Sequence, residues 1–227
     1  MSNVLAIIPA RGGSKGIKDK NIKDICGKPL ISWTLDQALT ELGHLNVLLT
    51  TDSNEIFDVA KRYGHRFLYK RPAELATDTA LTEPTMDHAV RWYIKEVETP
   101  NYIMLLQPTS PIRFPGRLKE IVQYIENTDL DSLVSVVADH SFHWKNPERP
   151  QASYEPKARP RRQDISIEDR QYRENGSIYL TKTEKFLENS CRISGRIGLF
   201  EMEQIESYEI DTQVDWILNE SLMESLL

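Results

Sequence analysis

An α/β domain built on a mostly parallel sheet is the fold class that the sequence predicts, and three observations predict it. Short apolar, β-branched runs recur along the chain, amphipathic stretches separate them, and 227 residues are enough to bury one core without disulfides. Val4–Pro9, 46–51, 102–107 and 132–137 read as buried strands. Between them, 29–42, 54–63, 83–97 and 116–127 place apolar residues three and four apart, as crossover helices do. Pro29 suits a first helical turn, and 66–69 looks strand-like.

From 138 to 175 the pattern breaks. Pro147, Pro150, Pro156 and Pro160 and many charges make a poor helix and a poor central strand. Phe142, Trp144, Tyr154 and Tyr172 are too many aromatics for a plain linker, so the segment reads as a lid, an interaction arm or a disordered insert within a single domain of residues 1–227. Strand character resumes at 177–181 and 196–202, and 212–226 reads as a closing helix.

Acidic residues exceed basic ones by 34 to 28, giving a net charge of −6, which argues against nonspecific binding to nucleic acid or anionic membranes. Anions must be caught locally, and basic residues do cluster at 11–28 and 149–173. Cys26 and Cys191 have no metal-ligand spacing and read as packing residues in a reduced compartment. The amino-terminal residues show neither a basic leader nor a spanning run, so a cytoplasmic protein is expected. His44, His65, His88, His140 and His143 form no ligand pair and read as surface or loop residues.

The first strand runs into a loop from Arg11 to Asn21, at the edge where open α/β sheets collect ligands. Gly12, Gly13 and Gly16 let backbone amides turn toward an anion, and Arg11, Lys15 and Lys20 add charged donors. The Walker pattern fails because Ile17 follows Gly16, and the dinucleotide pattern fails on glycine spacing. A solvated basic turn is the plainer reading of such a loop taken alone.

Other groups are equally two-sided. Around Arg71, Asp78 or Thr82 could cap the next helix, or the loop could wall a base and ribose. Gln107 ends a strand on the same sheet edge, in a turn that Pro108 and Pro111 already brace. Glu209 and Asp211 share one face of an extended segment and could hold Mg²⁺, or Asp211 or Thr212 could cap the last helix with Asp215. Arg162 and Arg173 lie in a basic stretch suited to a carboxylate or phosphate, or simply to solvent.

Taken in order, Ile8-Pro-Ala-Arg-Gly-Gly-Ser-Lys-Gly16, Lys20-Asn21, Gly27-Lys-Pro-Leu30, Thr51-Asp52, Arg71 through Ala80, Leu105 through Arg113, Arg173-Glu-Asn-Gly-Ser-Ile-Tyr179 and Glu209-Ile-Asp-Thr212 resemble the acylneuraminate cytidylyltransferase family, the CMP–sialic acid synthetases. The resemblance implies a three-layer, Rossmann-like nucleotidyltransferase fold, a homodimer joined through the arm 138–175, and transfer of CMP from CTP to the anomeric hydroxyl of a nine-carbon 2-keto sugar acid. It implies that Arg11, Lys15, Lys20 and Asn21 act on the triphosphate, and that Gly12, Gly13, Ser14, Arg71, Ala80 and Thr82 bind the nucleotide. Gln107, Lys145, Arg162, Arg173 and Tyr179 would face the sugar, with some arginines reaching the partner subunit, and Glu209 and Asp211 would coordinate Mg²⁺.

Two positions depart from the family's pattern: Glu209 often is Asp, and Glu174 often is Pro. The second places a negative charge near an anionic sugar, so legionaminic, pseudaminic or other modified nonulosonates stay beside sialic acid as substrates. A noncatalytic nucleotide-sensing protein is the alternative of another class. No dedicated general base stands out.

Overall fold

Alternation within the first strand sets the layers. Val4, Ala6 and Ile8 pack into one apolar cluster and Leu5 and Ile7 into another, because successive side chains of a strand point to opposite faces. The computed structural model describes residues 3–14, 16–65 and 68–227. They run as β1 (Val4–Pro9), a hairpin of β2 (Asp24–Ile25) and β3 (Lys28–Pro29), α1 (Leu30–Leu42), β4 (Val47–Thr51), α2 (Asn54–Arg62), β5 (Leu68–Lys70), α3 (Thr82–Glu96), β6 (Tyr102–Leu106), α4 (Arg117–Glu126) and β7 (Ser132–Asp139). A second hairpin, β8 (Trp144–Lys145) and β9 (Gln151–Ala152), precedes β10 (Gln171–Lys182), α5 (Thr183–Asn189), β11 (Ile197–Glu201) and α6 (Gln213–Leu226).

The main sheet has the order β11-β7-β10-β6-β1-β4-β5. β6, β1, β4 and β5 are mutually parallel, β7 and β11 are parallel, and β10 runs antiparallel between β6 and β7. Helices α1, α2 and α4 cover one face through Ile31, Leu35, Ile56, Val59, Leu118 and Ile121. α3 and α5 cover the other through Met86, Val90 and Phe186, which makes the three-layer arrangement the sequence predicts. A third cluster joins Ile17 and Ile25 near the amino end to Ile210, Trp216 and Met223 near the carboxyl end.

Several local expectations change. Gln171–Glu174, inside the stretch expected to make a poor central strand, pairs with Val136–Asp139, and the register shifts between Glu174 and Tyr179. Here backbone pairing with β7 outweighs the polar side chains, which stay exposed. α5 was not anticipated, because seven residues with one fully buried apolar side chain, Phe186, are too short to show a period. Pro29 stands just before α1 as its cap residue. Neither Asp78 nor Thr82 caps α3: Leu81 holds that position without a side-chain bond, and Asp78 is drawn to Arg11 instead. His65 is buried, accepting the Leu49 N–H on Nε2, so it is not a surface residue. Of the strand-like stretch 66–69, Arg66 and Phe67 lie outside the described residues.

Candidate active site

Because β1, β4, β5 and β6 run parallel, the residues that follow them meet along one sheet edge. Arg11, Asp52, Arg71 and Gln107 all come just after these strands. A cavity of about 420 Å³ opens there, and its wall includes Arg11, Lys20, Asn21, Arg71, Gln107 and Asp211. Ser14, Ala80, Thr82 and Glu209 also line it, whereas Gly12 and Gly13 line an adjoining cavity of about 630 Å³. Lys15 lies outside the described residues.

The first loop is held by residues far along the chain. A Cβ at Gly16 would stand 2.2 Å from the carbonyl oxygen of Asp211, so only glycine lets the loop approach that backbone. Lys20 Nζ donates to the Ile210 carbonyl at 2.6 Å and to Asp211 Oδ1 at 3.1 Å. Asn21 is buried and donates to the Arg11 carbonyl at 3.0 Å, fixing the loop's path rather than pointing a donor outward. The Ile210 N–H in turn donates to the Thr109 carbonyl, tying this segment to the turn after β6.

Carboxylates partner the cations here. Arg11 donates to Asp78 at 2.8 Å and to the Thr77 carbonyl at 3.0 Å. Asp52 accepts the Gly12 N–H at 3.0 Å and lies 3.7 Å from Arg71. Arg71 is only 7% exposed, and its Nε has no hydrogen-bond partner among the described residues. Burial therefore pushes its guanidinium below the ordinary value, against the pull of Asp52. A polyanion entering this edge would meet a preassembled set of donors that already hold weaker, exchangeable partners.

The capping reading of the segment at 209–212 holds for one of its two candidates. Thr212 caps α6 and forms a capping box with Asp215, so the cap falls on Thr212, and Asp211 is left to face Lys20 and the cavity. Glu209 is half-buried, and its carboxyl is raised above the usual range by burial first and by Asp211 second. Asp211 adds to the cost of charging Glu209, and two carboxyl groups on one short segment are hard-oxygen donors of the kind that suits a magnesium ion.

Beside the cavity, on the α3 and α5 face, lies a polar group around Tyr179. The Tyr179 hydroxyl donates to Glu174 Oε2 at 2.9 Å, and the Arg192 guanidinium sits 4.7 Å from the ring centre. Burial, then the bond to Glu174, raises the Tyr179 hydroxyl's pKa. Arg173, the adjacent strand residue, turns to the other face and donates to Ser207 at 3.3 Å. Buried Arg113 braces both strands, donating to the carbonyls of Gln107 at 2.7 Å and Ser177 at 3.1 Å. Gly176, at φ 62°, passes where a Cβ would strike Glu209 at 2.1 Å. Lys145 and Arg162 are not in this wall: Lys145 is exposed on β8, and Arg162 borders a separate hollow with His140 and Tyr172.

Sequence reasoning missed Leu81, Thr85 and Thr109 in the cavity wall and Arg192 beside Tyr179. Thr109 was within the motif ending β6, but Arg192 stands alone after an unanticipated helix and carried no signal.

A mostly parallel sheet of this order is the nucleotidyltransferase fold, and solved structures share it. A CMP:2-keto-3-deoxy-manno-octonic acid synthetase complexed with CTP superposes with a TM-score of 0.71 at 20% identity, all of both chains covered. The 4-diphosphocytidyl-2C-methyl-D-erythritol synthase of Anaerococcus prevotii gives 0.68 at 12% identity, with 98% of this chain and 96% of that one covered. The family model described as cytidylyltransferase matches residues 5–226, and the chain belongs to that family. Zebrafish (Danio rerio) N-acylneuraminate cytidylyltransferase A is 36% identical over 220 residues, 94% of this chain and 49% of the relative. The chain thus spans about half the length of that relative. The CMP-N,N'-diacetyllegionaminic acid synthase of Legionella pneumophila is 35% identical over 228 residues, 97% of this chain and 96% of the relative.

Proposed function

We propose that the protein transfers CMP from CTP to the anomeric 2-hydroxyl of a nonulosonic acid, sialic acid or a relative of it, and releases pyrophosphate. The observation that carries this reading is the convergence of Arg11, Lys20, Asn21, Arg71, Gln107 and Asp211 on one cavity at the carboxyl edge of the sheet of a cytidylyltransferase-family chain. Arg11 and Lys20 exchange Asp78 and Asp211 for phosphate oxygens and offset charge as it moves onto pyrophosphate. Arg71, Ala80 and Thr82 would border the nucleoside end and Gln107 the sugar end, while Arg173 and Tyr179, expected at the sugar, stand outside the cavity wall. Glu209 and Asp211 would hold Mg²⁺, which when bound would supply charge neutralisation at the transferring phosphate.

Legionaminic acid is the second substrate reading, favoured by the Legionella relative being matched over nearly its whole length. The arm 138–175, with Trp144 and Ile167 exposed, is proposed as the dimerisation element that carries Lys145 and Arg162 toward a partner's site. A cytoplasmic location, where CTP is available, completes the reading. No helix of the described residues is long and apolar enough to cross a membrane.

The deciding experiment incubates the full chain with CTP, Mg²⁺ and a panel of nonulosonic acids and measures pyrophosphate. Turnover with at least one sugar acid is expected, and none with any of them would leave only a nucleotide-binding protein. Sedimentation of wild type and Trp144→Ser should separate dimer from monomer, and a monomeric wild type would remove the arm's proposed role.

A further inference from the structure

Between Arg173 and Tyr179 stand Asn175, Gly176 and Ser177, to which the transfer of CMP gives no task, and the ladder between β10 and β7 breaks at them. β10 advances from Glu174 to Tyr179 while β7 moves only from Val136 to Val134, so the extra residues bulge from the strand. A bulge strands backbone donors and acceptors, and buried ones must find partners. Ser135 of β7 accepts the Ile178 N–H at 2.8 Å and donates to Asn175 Oδ1 at 2.6 Å. The same Asn175 oxygen accepts the Ser177 N–H at 3.3 Å, and the Asn175 amide donates to the Glu206 carbonyl at 3.4 Å. Ser110, from the turn after β6, donates to the Gly176 carbonyl at 3.2 Å. Ser110, Ser135 and Asn175 are each at most 1% exposed.

Buried polar side chains beside Val134, Val136 and Ile178 need a reason, because an unbroken ladder with apolar residues in their places would satisfy the backbone without burying them. The reason lies at the tip of the bulge. Gly176 takes φ 62° there, and the space that a Cβ would fill holds the carboxyl group of Glu209. That group rests on the Gly176 backbone, so it cannot retreat toward the sheet and stays in the wall of the cavity. The clamp also grips the chain on both sides of it. Asn175 holds the Glu206 carbonyl ahead of Glu209, and Ser110 ties the tip to the turn in which the Thr109 carbonyl accepts the Ile210 N–H.

We propose that Ser135 and Asn175 are positioning residues for the Glu209 carboxyl group, acting by holding the bulge that sets Gly176 against it. The proposal rests on the reading in which Glu209 and Asp211 hold Mg²⁺ for cytidylyl transfer, and it adds the buried clamp that fixes one of those two groups.

The test titrates Mn²⁺ alone into the full chain, reads free Mn²⁺ by electron paramagnetic resonance, and follows thermal unfolding of the same samples. Ser135→Ala and Asn175→Ala should each weaken Mn²⁺ binding about tenfold, as loss of a residue that orients a metal ligand does. Ser135→Thr, which keeps the hydroxyl, should restore most of the affinity. Gly176→Ala leaves the clamp intact but puts a methyl where the carboxyl group lies, and it should weaken binding at least as much. In a Glu209→Gln background the effect of Ser135→Ala on Mn²⁺ should vanish, because a positioning residue acts only through the group it positions. A lower Tm with wild-type Mn²⁺ affinity in both clamp variants, or the same tenfold loss with and without Glu209, overturns the proposal. If neither clamp variant folds, wild-type affinity in Gly176→Ala overturns it alone. A wild type that binds no Mn²⁺ would instead overturn the metal reading itself, and the pyrophosphate assay tests the transfer reading separately.

Discussion

Lys20 is the residue whose position says most about its task. Its ammonium is mostly buried between the Ile210 carbonyl and Asp211, so it cannot swing far, and its charge is delivered to one place. Lys20→Ala should lower kcat at least about a hundredfold with a much smaller change in KM for CTP, because a fixed charge matters most as the leaving group develops. Steady-state kinetics at saturating sugar check this, and a raised KM for CTP with kcat unchanged would assign Lys20 to simple binding. Asp211→Ala should remove or strongly weaken the Mg²⁺ dependence of turnover in a metal titration. Glu209 has a sign of its own. Its folded pKa lies above the unfolded value, so the folded state binds the proton more tightly, and stability is lost as pH rises through that range. Glu209→Gln should therefore raise Tm at pH 8 while lowering activity, and a lower Tm at pH 8 would show that its charged form is stabilising.

At the scale of elements, the last helix and the first loop act together. Thr212 accepts the Asp215 N–H, and Asp215 accepts the N–H groups of both Asp211 and Thr212, so the helix cap also shapes the backbone that carries the proposed metal ligands. Thr212→Ala should cost about 1 kcal/mol in denaturant unfolding and also weaken the response to Mg²⁺. Loss of stability with an unaltered metal titration would separate the two roles. This element was half legible in the sequence. The T-x-x-D spacing announced a cap, but whether Asp211 belonged to it depended on backbone dihedrals that spacing does not contain. β1, β4 and β6 were readable because each is a buried apolar run with a charged or polar residue after it, as Arg11, Asp52 and Gln107 are, whereas β5, Leu-Tyr-Lys and partly exposed, carries a weaker signal. The pairing of Gln171–Glu174 with β7 was not, since its side chains are polar and its partner is distant. Arg192 was illegible for another reason: its contact with the Tyr179 ring depends on the turn of α5, a helix too short to show a period.

For the whole molecule, a buried ionic network joins parts that the sheet alone does not. The Glu206 side chain has no exposure and accepts from Arg117 at 2.8 Å and from the Phe114 N–H at 2.8 Å. Arg113, buried nearby, is held down to a pKa of about 9 by burial, with Glu206 and Glu41 opposing. Arg117→Met should cost about 3–5 kcal/mol, because it strands a buried carboxylate. Thermal unfolding measures this, and a loss under about 1 kcal/mol would mean that backbone donors suffice. The same network spans the turn after β6 and the segment before α6, so its loss should also loosen Gln107 and Glu209.

Gly16 against the Asp211 carbonyl, and Lys20 against Ile210 across 190 positions, have a consequence for the order of events during synthesis. The loop at 11–21 is synthesised nearly two hundred residues before the segment that holds it. A nascent chain can pair β1 with β4 early, yet Gly16 and Lys20 have nothing to close against until residue 211 has emerged. A ligand that needs both segments would therefore stabilise the chain only after that point, and not during the early stages of folding.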